Sequence, residues 1–404
     1  MTTVNEFLEY LQEQTLRQSN IDPKQYLKTL DLYEKKAENW IEDVLNTEKE
    51  FSSPEEISEM RKHMKENIEK VKKLQLPSKY ENRSDYSMLL DFAEDIENTI
   101  SSFGYLNKQT GINYTLQDLN MNIVRPTFGT VPIRTLNAAS YGGFKNNEYL
   151  IVFGTETFHC CNLLSKIIAQ CFPYTKEDNH AEFIFDEKQV LDRTNNETSI
   201  LNRFQQMFLA YLIRGQVRAA PQYYLEAPFS YLASHLRYAM EVFIMGHEYS
   251  HILLRHVDSE KSQKTLLDIG DAYNIMFEWP QEYEADALGL PLMLLAPRLR
   301  DRHNDPISYS GAELLFSCDE IIQRAECILR TGKEDWYWKG GQKDGAVGDH
   351  PPPHERRKQL RNTMKHQFGD KSVETSLLIE KITSILWEKT KPIFIDVHEK
   401  YLQN

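Results

Sequence analysis

Apolar residues recur at helical spacing along most of the chain. Val4, Phe7, Leu8 and Leu11 form one stripe over residues 4–16. Ser53-Pro54-Glu55-Glu56 opens another helix: Ser as N-cap, Pro in the first helical position, Glu in the third. Ile57, Met60, Met64, Ile68 and Val71 then share one face, and residues 89–100 repeat the period. The opposite faces mix both charge signs. The first hundred or so residues therefore read as amphipathic helices covering a larger core.

The texture changes near residue 121. IRTL at 133–136 and EYLIVF at 148–153 are rich in β-branched and aromatic residues, and SYGGFKNN between them is a Gly/Asn turn segment. The pattern predicts a β-hairpin with a long loop. Residues 158–219 return to helical texture, broken by a polar stretch at 174–198. That stretch reads as a surface loop in which AEFIF is the segment able to form a short strand. Helical spacing resumes near Tyr231. From Arg356 onward the tail reads as two helices with a break near Pro392. The fold class is α+β and mostly α-helical, with a small antiparallel sheet.

Composition narrows the function. Of 404 residues, 41% are hydrophobic and 26% charged, enough for a sizeable core under a solvated surface. The formal charge of −13 argues against nucleic acid or an anionic membrane as a partner reached through the overall field. No run approaches the roughly 18 apolar residues of a membrane span. The start, MTTVNEFLEYLQEQ, lacks the basic and apolar regions of a secretory signal, so a cytoplasmic location is expected. The five cysteines are odd in number, irregularly spaced and without a CxxC pair, which points to buried thiols rather than a disulfide framework.

The candidate chemistry lies in His247-Glu248-Tyr249-Ser250-His251, an HExxH within an apolar helical context. Residues four apart stack on one helix face, so both imidazoles can reach one tetrahedral Zn²⁺. Glu248 is turned about 100° from His247, beside a metal-bound water, where a general base belongs. A third histidine at HExxHxxGxxH spacing is absent: Leu254 and Val257 occupy the required positions, and His256 reads as a surface or helix-end residue. Further on, WPQEYEADALG offers Glu282 as an anionic third ligand. Asp286, one turn later, can accept the N–H of a ligand histidine. Glu284 is the alternative ligand if the register shifts. Gly246, Ala285 and Gly289 are small enough to let the two helices approach closely.

With HExxH followed by ExxxD, the chain resembles the gluzincin zinc peptidases, and within them the CaaX prenyl protease and heat-shock membrane protease family. Asn137-Ala138-Ala139-Ser140 before the strand at 149–154, the EYEADALG block, and His350-Pro351-Pro352 with Arg356 carry the likeness in the right order. The resemblance implies that Asn137 and Ala138 belong to a strand lining the substrate cleft. It implies that His350 helps polarise the scissile carbonyl and that Arg356 braces the site. It divides the chain into a helical region at 1–115, a zincin-like metallopeptidase core at 116–365 with an insertion at about 158–230, and C-terminal helices at 366–404. The long insertion and the lack of a spanning helix depart from the family's familiar members.

The expected function is hydrolysis of peptide bonds in a protein or peptide substrate by zinc-activated water, with Glu248 as base. Two alternatives stand beside it. One is a non-catalytic helical interaction protein stapled by a structural zinc. The other is a latent protease opened by a regulatory partner, with residues 174–198 as a lid.

Overall fold

A computed structural model describes residues 3–36, 40–49, 52–110, 125–133, 136–177, 180–258, 263–266, 273–276, 278–299, 305–334 and 350–402. Five helices come first: α1 (Val4–Gln18), α2 (Pro23–Lys36), α3 (Trp40–Glu48), α4 (Pro54–Lys72) and α5 (Arg83–Thr110). Strands β1 (Thr127–Val131), β2 (Ala138–Tyr141) and β3 (Leu150–Gly154) follow. Next come α6 (Thr155–Ala169), β4 (Tyr174–Glu177), β5 (His180–Phe183), α7 (Glu187–Asn196), α8 (Thr198–Arg214) and α9 (Ala227–Leu253). The chain continues through β6 (Gln263–Leu266), β7 (Tyr273–Met276), α10 (Trp279–Leu299), α11 (Asp305–Thr331), α12 (Pro353–Phe368) and α13 (Glu374–Leu402). The architecture is mostly helical with little sheet. Among the described residues, no helix is long and apolar enough to cross a membrane.

Local chemistry accounts for several boundaries. The Ser53 hydroxyl and Glu56 carboxylate form the reciprocal capping box that opens α4, with Pro54 in its first turn, and Thr3 and Glu6 do the same for α1. The main sheet runs β1-β3-β2, with β3 parallel to β1 and antiparallel to β2, so it is mixed rather than antiparallel. The expected hairpin exists, but its first strand is Ala138–Tyr141, not residues 133–136. Pro132 has no N–H to donate and ends β1, and the Ile133 N–H turns back onto the Val131 carbonyl at 2.8 Å. Arg134 and Thr135 lie outside the described residues.

Strand β3 is buried on both faces. Leu150 and Val152 meet Val4, Phe7 and Leu8 of α1 on one side. Ile151 and Phe153 belong to the main core on the other. The helix α1 is therefore a cover on the sheet. A buried polar bridge ties it down: Gln12 Nε2 donates to Glu81 Oε1 at 2.5 Å and to the Thr130 carbonyl at 2.7 Å. Further along, α5 is fastened to α9 by Tyr238 Oη donating to Asp95 at 2.6 Å and Tyr249 Oη donating to Glu97 at 2.7 Å. The expected boundary at 115/116 lies outside the described residues.

Two other expectations need correction. Of the stretch expected as a surface loop, Tyr174–Glu177 and His180–Phe183 pair as a hairpin, with the AEFIF segment supplying most of its second strand as expected, and α7 follows. Tyr174 and Phe183 both pack on Phe229 at centroid distances of 5.2 and 6.1 Å, so aromatic contact orders a segment whose sequence is largely polar. In the tail, Pro392 sits inside α13, held by the buried Leu386, Trp387 and Phe394. The break comes earlier, at Gly369, whose φ of 81° suits glycine.

Helix α9 is the centre of the molecule, and α6, α10 and α11 all pack on it. A Cβ on Gly311 of α11 would stand 2.4 Å from the Ala239 backbone carbon. A Cβ on Gly289 of α10 would stand 3.1 Å from the His247 backbone nitrogen. Glycine at these points lets helix backbones touch where the site is built. Helix α12 is locked by a buried ionic cluster in which Arg361 meets Glu313 at 2.6 Å and Glu380 at 2.8 Å. Arg357 joins the same cluster, pairing with Glu313 and Glu320.

Candidate metal centre and its cavity

The close crossing of α9 and α10 brings three donors together. His247 Nε2 and His251 Nε2 are 3.1 Å apart. Glu282 places Oε2 3.4 Å from the first and Oε1 3.5 Å from the second. Donors about 2.0–2.1 Å from a tetrahedral metal lie roughly 3.3 Å from one another, so this triangle has the size of a zinc-type site. His247, His251 and Glu282 form a buried group that could hold a metal ion. Both Glu282 oxygens are buried and lack a hydrogen bond of acceptable geometry, although His350 Nδ1 stands 2.7 Å from Oε2. An orphaned, fully buried carboxylate facing two imidazole nitrogens is the expected state of a ligand set that a cation completes.

The surroundings decide which nitrogen of each histidine is bare. Asp286 Oδ1 lies 3.0 Å from His247 Nδ1, and Arg356 clamps Asp286 through Nε at 2.7 Å and a terminal nitrogen at 2.6 Å. Nδ1 of His247 therefore carries the proton and Nε2 is free to ligate. For His251, Nδ1 is 3.0 Å from His256 Nδ1, and His256 Nε2 is 3.0 Å from Glu284. Glu284 needs a donor, so His256 is protonated on Nε2 and accepts on Nδ1. His251 then donates from Nδ1 and presents a bare Nε2.

Charge follows the same logic. Without a cation, burial pushes the His247 pKa down, but Asp286 and Glu282 outweigh it and hold the group at about 10, so a metal ion would displace the Nε2 proton that Glu282 otherwise attracts. Burial also opposes ionisation of Glu282, yet His247 and His350 drive its pKa far below the usual carboxylate range. His251 is pushed well down by burial and by the neighbouring His247. Glu248 is raised by burial, only partly offset by His247 and Ser140.

Glu248 lies beside the triad, buried, with Ser140 Oγ donating to its Oε2 at 2.6 Å. Two residues further along α9, the Ser250 hydroxyl donates to the Gly246 carbonyl at 2.6 Å. A cavity of about 340 Å³ opens beside the site, and Asn137, Ala138, His247, Glu248, His350 and Arg356 all line it. The Asn137 carbonyl accepts from the Gly154 N–H at 2.8 Å, which leaves β2 as the sheet's edge strand on that side.

Sequence reasoning missed three contributors. The sequence assigns Ser140 no role, because its bond to Glu248 joins residues 108 apart in the chain. His256, expected as a surface or helix-end residue, does follow the end of α9 but is buried: Arg255 takes a left-handed φ of 58° after α9 ends and folds the next turn back onto His251. Nothing in the local sequence signals that reversal. Glu284, the alternative ligand, instead pairs with His256 and is not in the metal group. The third, Asp319, comes from α11, seventy-one residues beyond Glu248, and meets the site only through helix packing.

Comparison with known proteins finds no matching family model, no matching curated protein and no matching solved structure.

Proposed function

We propose that the chain is a zinc-dependent endopeptidase. The observation that carries the reading is the convergence of His247, His251 and Glu282 with a buried Glu248 at the wall of a cavity. Two imidazoles and one carboxylate suit zinc, and three protein ligands match a catalytic site, whereas structural sites are closed by four. A zinc ion held there would acidify a water molecule and polarise the carbonyl oxygen of a peptide bond.

The chain's own residues do the rest. Ser140 holds one oxygen of Glu248, which leaves the other free to take the water's proton. Glu248 then delivers that proton to the departing amide nitrogen. His350, half exposed at the cavity, supplies an N–H to the charge that develops on the carbonyl oxygen. Arg356 acts one step back by fixing Asp286, and Asp286 fixes the tautomer of His247. An extended substrate lies along β2 with Asn137 and Ala138 beside the cavity.

The test is Glu248→Gln. The variant should keep its zinc and lose roughly 10²–10⁴-fold in kcat. Full activity in a zinc-loaded Glu248→Gln protein would overturn the reading.

A further inference from the structure

The cavity beside Glu248 has a composition that selects its guest. Met240, Phe243 and Ile322 form apolar wall, and Cys160 and Cys318 close part of it with Sγ atoms 3.3 Å apart. Its volume of about 340 Å³ lies at the small end of the roughly 300–1,000 Å³ of ligand pockets, the size for one long side chain. Two acidic residues from α11, Asp319 and Glu326, also line it. Glu326 stands 3.7 Å from Arg330 and is partly exposed. Asp319 has no ion pair among the described residues, and its hydrogen-bond partner is the neutral Gln323.

The nearest cation is already committed. Arg356 makes both its short bonds to Asp286. Arg356 and His350 act on Asp319 without forming an ion pair with it, so the cavity holds a carboxylate with no paired cation among the described residues. Burial raises its pKa, and Gln323, Arg356 and His350 offset that only in part. A guest with an apolar stem and a cationic end satisfies both the walls and Asp319. A neutral side chain leaves the carboxylate desolvated, and an acidic one is repelled.

We infer that this cavity is a specificity pocket for a lysine or arginine side chain of the substrate, with Met240, Phe243 and Ile322 on the methylene stem and Asp319 at the cationic head. The inference rests on the peptidase reading, and it adds a substrate class to it.

The experiment uses the full chain loaded with zinc and a fluorogenic peptide library. Each position is fixed in turn as lysine, arginine, norleucine or glutamate. Lysine and norleucine share a stem and differ in the ammonium group, so their ratio reports on the head alone. At one position, lysine or arginine should exceed norleucine by roughly tenfold or more in kcat/KM, and glutamate should be worst. Asp319→Asn should collapse the lysine-to-norleucine ratio towards one. The same peptides are measured for binding to zinc-loaded Glu248→Gln by fluorescence anisotropy, which needs no turnover. Cleavage that ignores charge at every position, or an unchanged ratio in Asp319→Asn, overturns the pocket assignment and leaves the peptidase reading intact. Charge-selective binding without any wild-type cleavage sustains the pocket and overturns the peptidase reading. Absence of both binding and cleavage overturns both.

Discussion

At the scale of single residues, the site depends on side chains that never touch a metal. His256 and Glu284 set the tautomer of His251, as Asp286 and Arg356 set that of His247. Replacing such a partner commonly weakens metal binding about 10- to 100-fold. His256→Ala should therefore lower zinc affinity by that order, read by chelator competition, while Glu284→Gln, on a side chain 63% exposed, should cost less. Equal affinity in His256→Ala and wild type would remove the relay from the account. Ser140→Ala should leave zinc affinity unchanged and lower kcat about tenfold, because it frees the base without touching a ligand. Loss of zinc from Ser140→Ala would show that the serine is structural. The HExxH and ExxxD spacings made the triad and Asp286 legible in the sequence because helix periodicity converts spacing directly into a shared face. His256 was not legible, because its place depends on one left-handed residue after the helix.

At the scale of elements, geometry at the site is a matter of how closely α9 and α10 pass. Gly289→Ala pushes a methyl to 3.1 Å from the His247 nitrogen, so the helices must part. Overpacking of this kind costs typically about 1–3 kcal/mol. The expected outcome is a lower melting temperature together with weaker zinc binding, measured on the same samples. A variant as stable and as tightly zinc-bound as wild type would show that the close crossing is not needed. The sheet has its own titration. Glu81, buried between α1 and β1, has its pKa raised to about 8, first by burial and against the bonds from Thr130 and Gln12. Its folded pKa exceeds the unfolded value near 4.5, so the folded state holds the proton more tightly. This contribution is complete below pH 4.5 and is lost as pH rises through about 8. Glu81→Gln, which keeps an acceptor for Gln12 and Thr130, should flatten the fall in stability across that window in urea titrations. An unchanged pH profile would place the titration elsewhere. Helices were readable from apolar spacing and capping residues. The strands were harder. β1 has a glycine at its centre, where β3 has one only at its end, and β2 carries only Ala-Ala-Ser-Tyr, so neither has the unbroken Leu-Ile-Val-Phe run that marks β3. The β4–β5 hairpin depends on Phe229, more than forty residues away, which no local pattern reveals.

At the scale of the whole molecule, one long helix carries two of the three candidate ligands, and several elements position side chains against it. Helix α10 supplies Glu282 and Asp286, α11 supplies the acidic wall, and α12 supplies Arg356 from a helix locked by Arg357 and Arg361. The strand β2 brings Ser140 to Glu248 from the other side. The mostly helical class and the existence of a small sheet were legible in the sequence. The assembly of the cavity was not, because its lining comes from segments spread over residues 136–356. On the proposed reading, this assembly holds one metal ion at His247, His251 and Glu282. The most direct test of that reading is elemental analysis of purified wild type beside Glu282→Ala. The expected result is one zinc per chain in wild type and a large loss in the variant, with the fold retained by circular dichroism. Wild-type protein that binds no zinc even after reconstitution, or a Glu282→Ala protein that binds it equally well, would overturn the assignment of the three ligands.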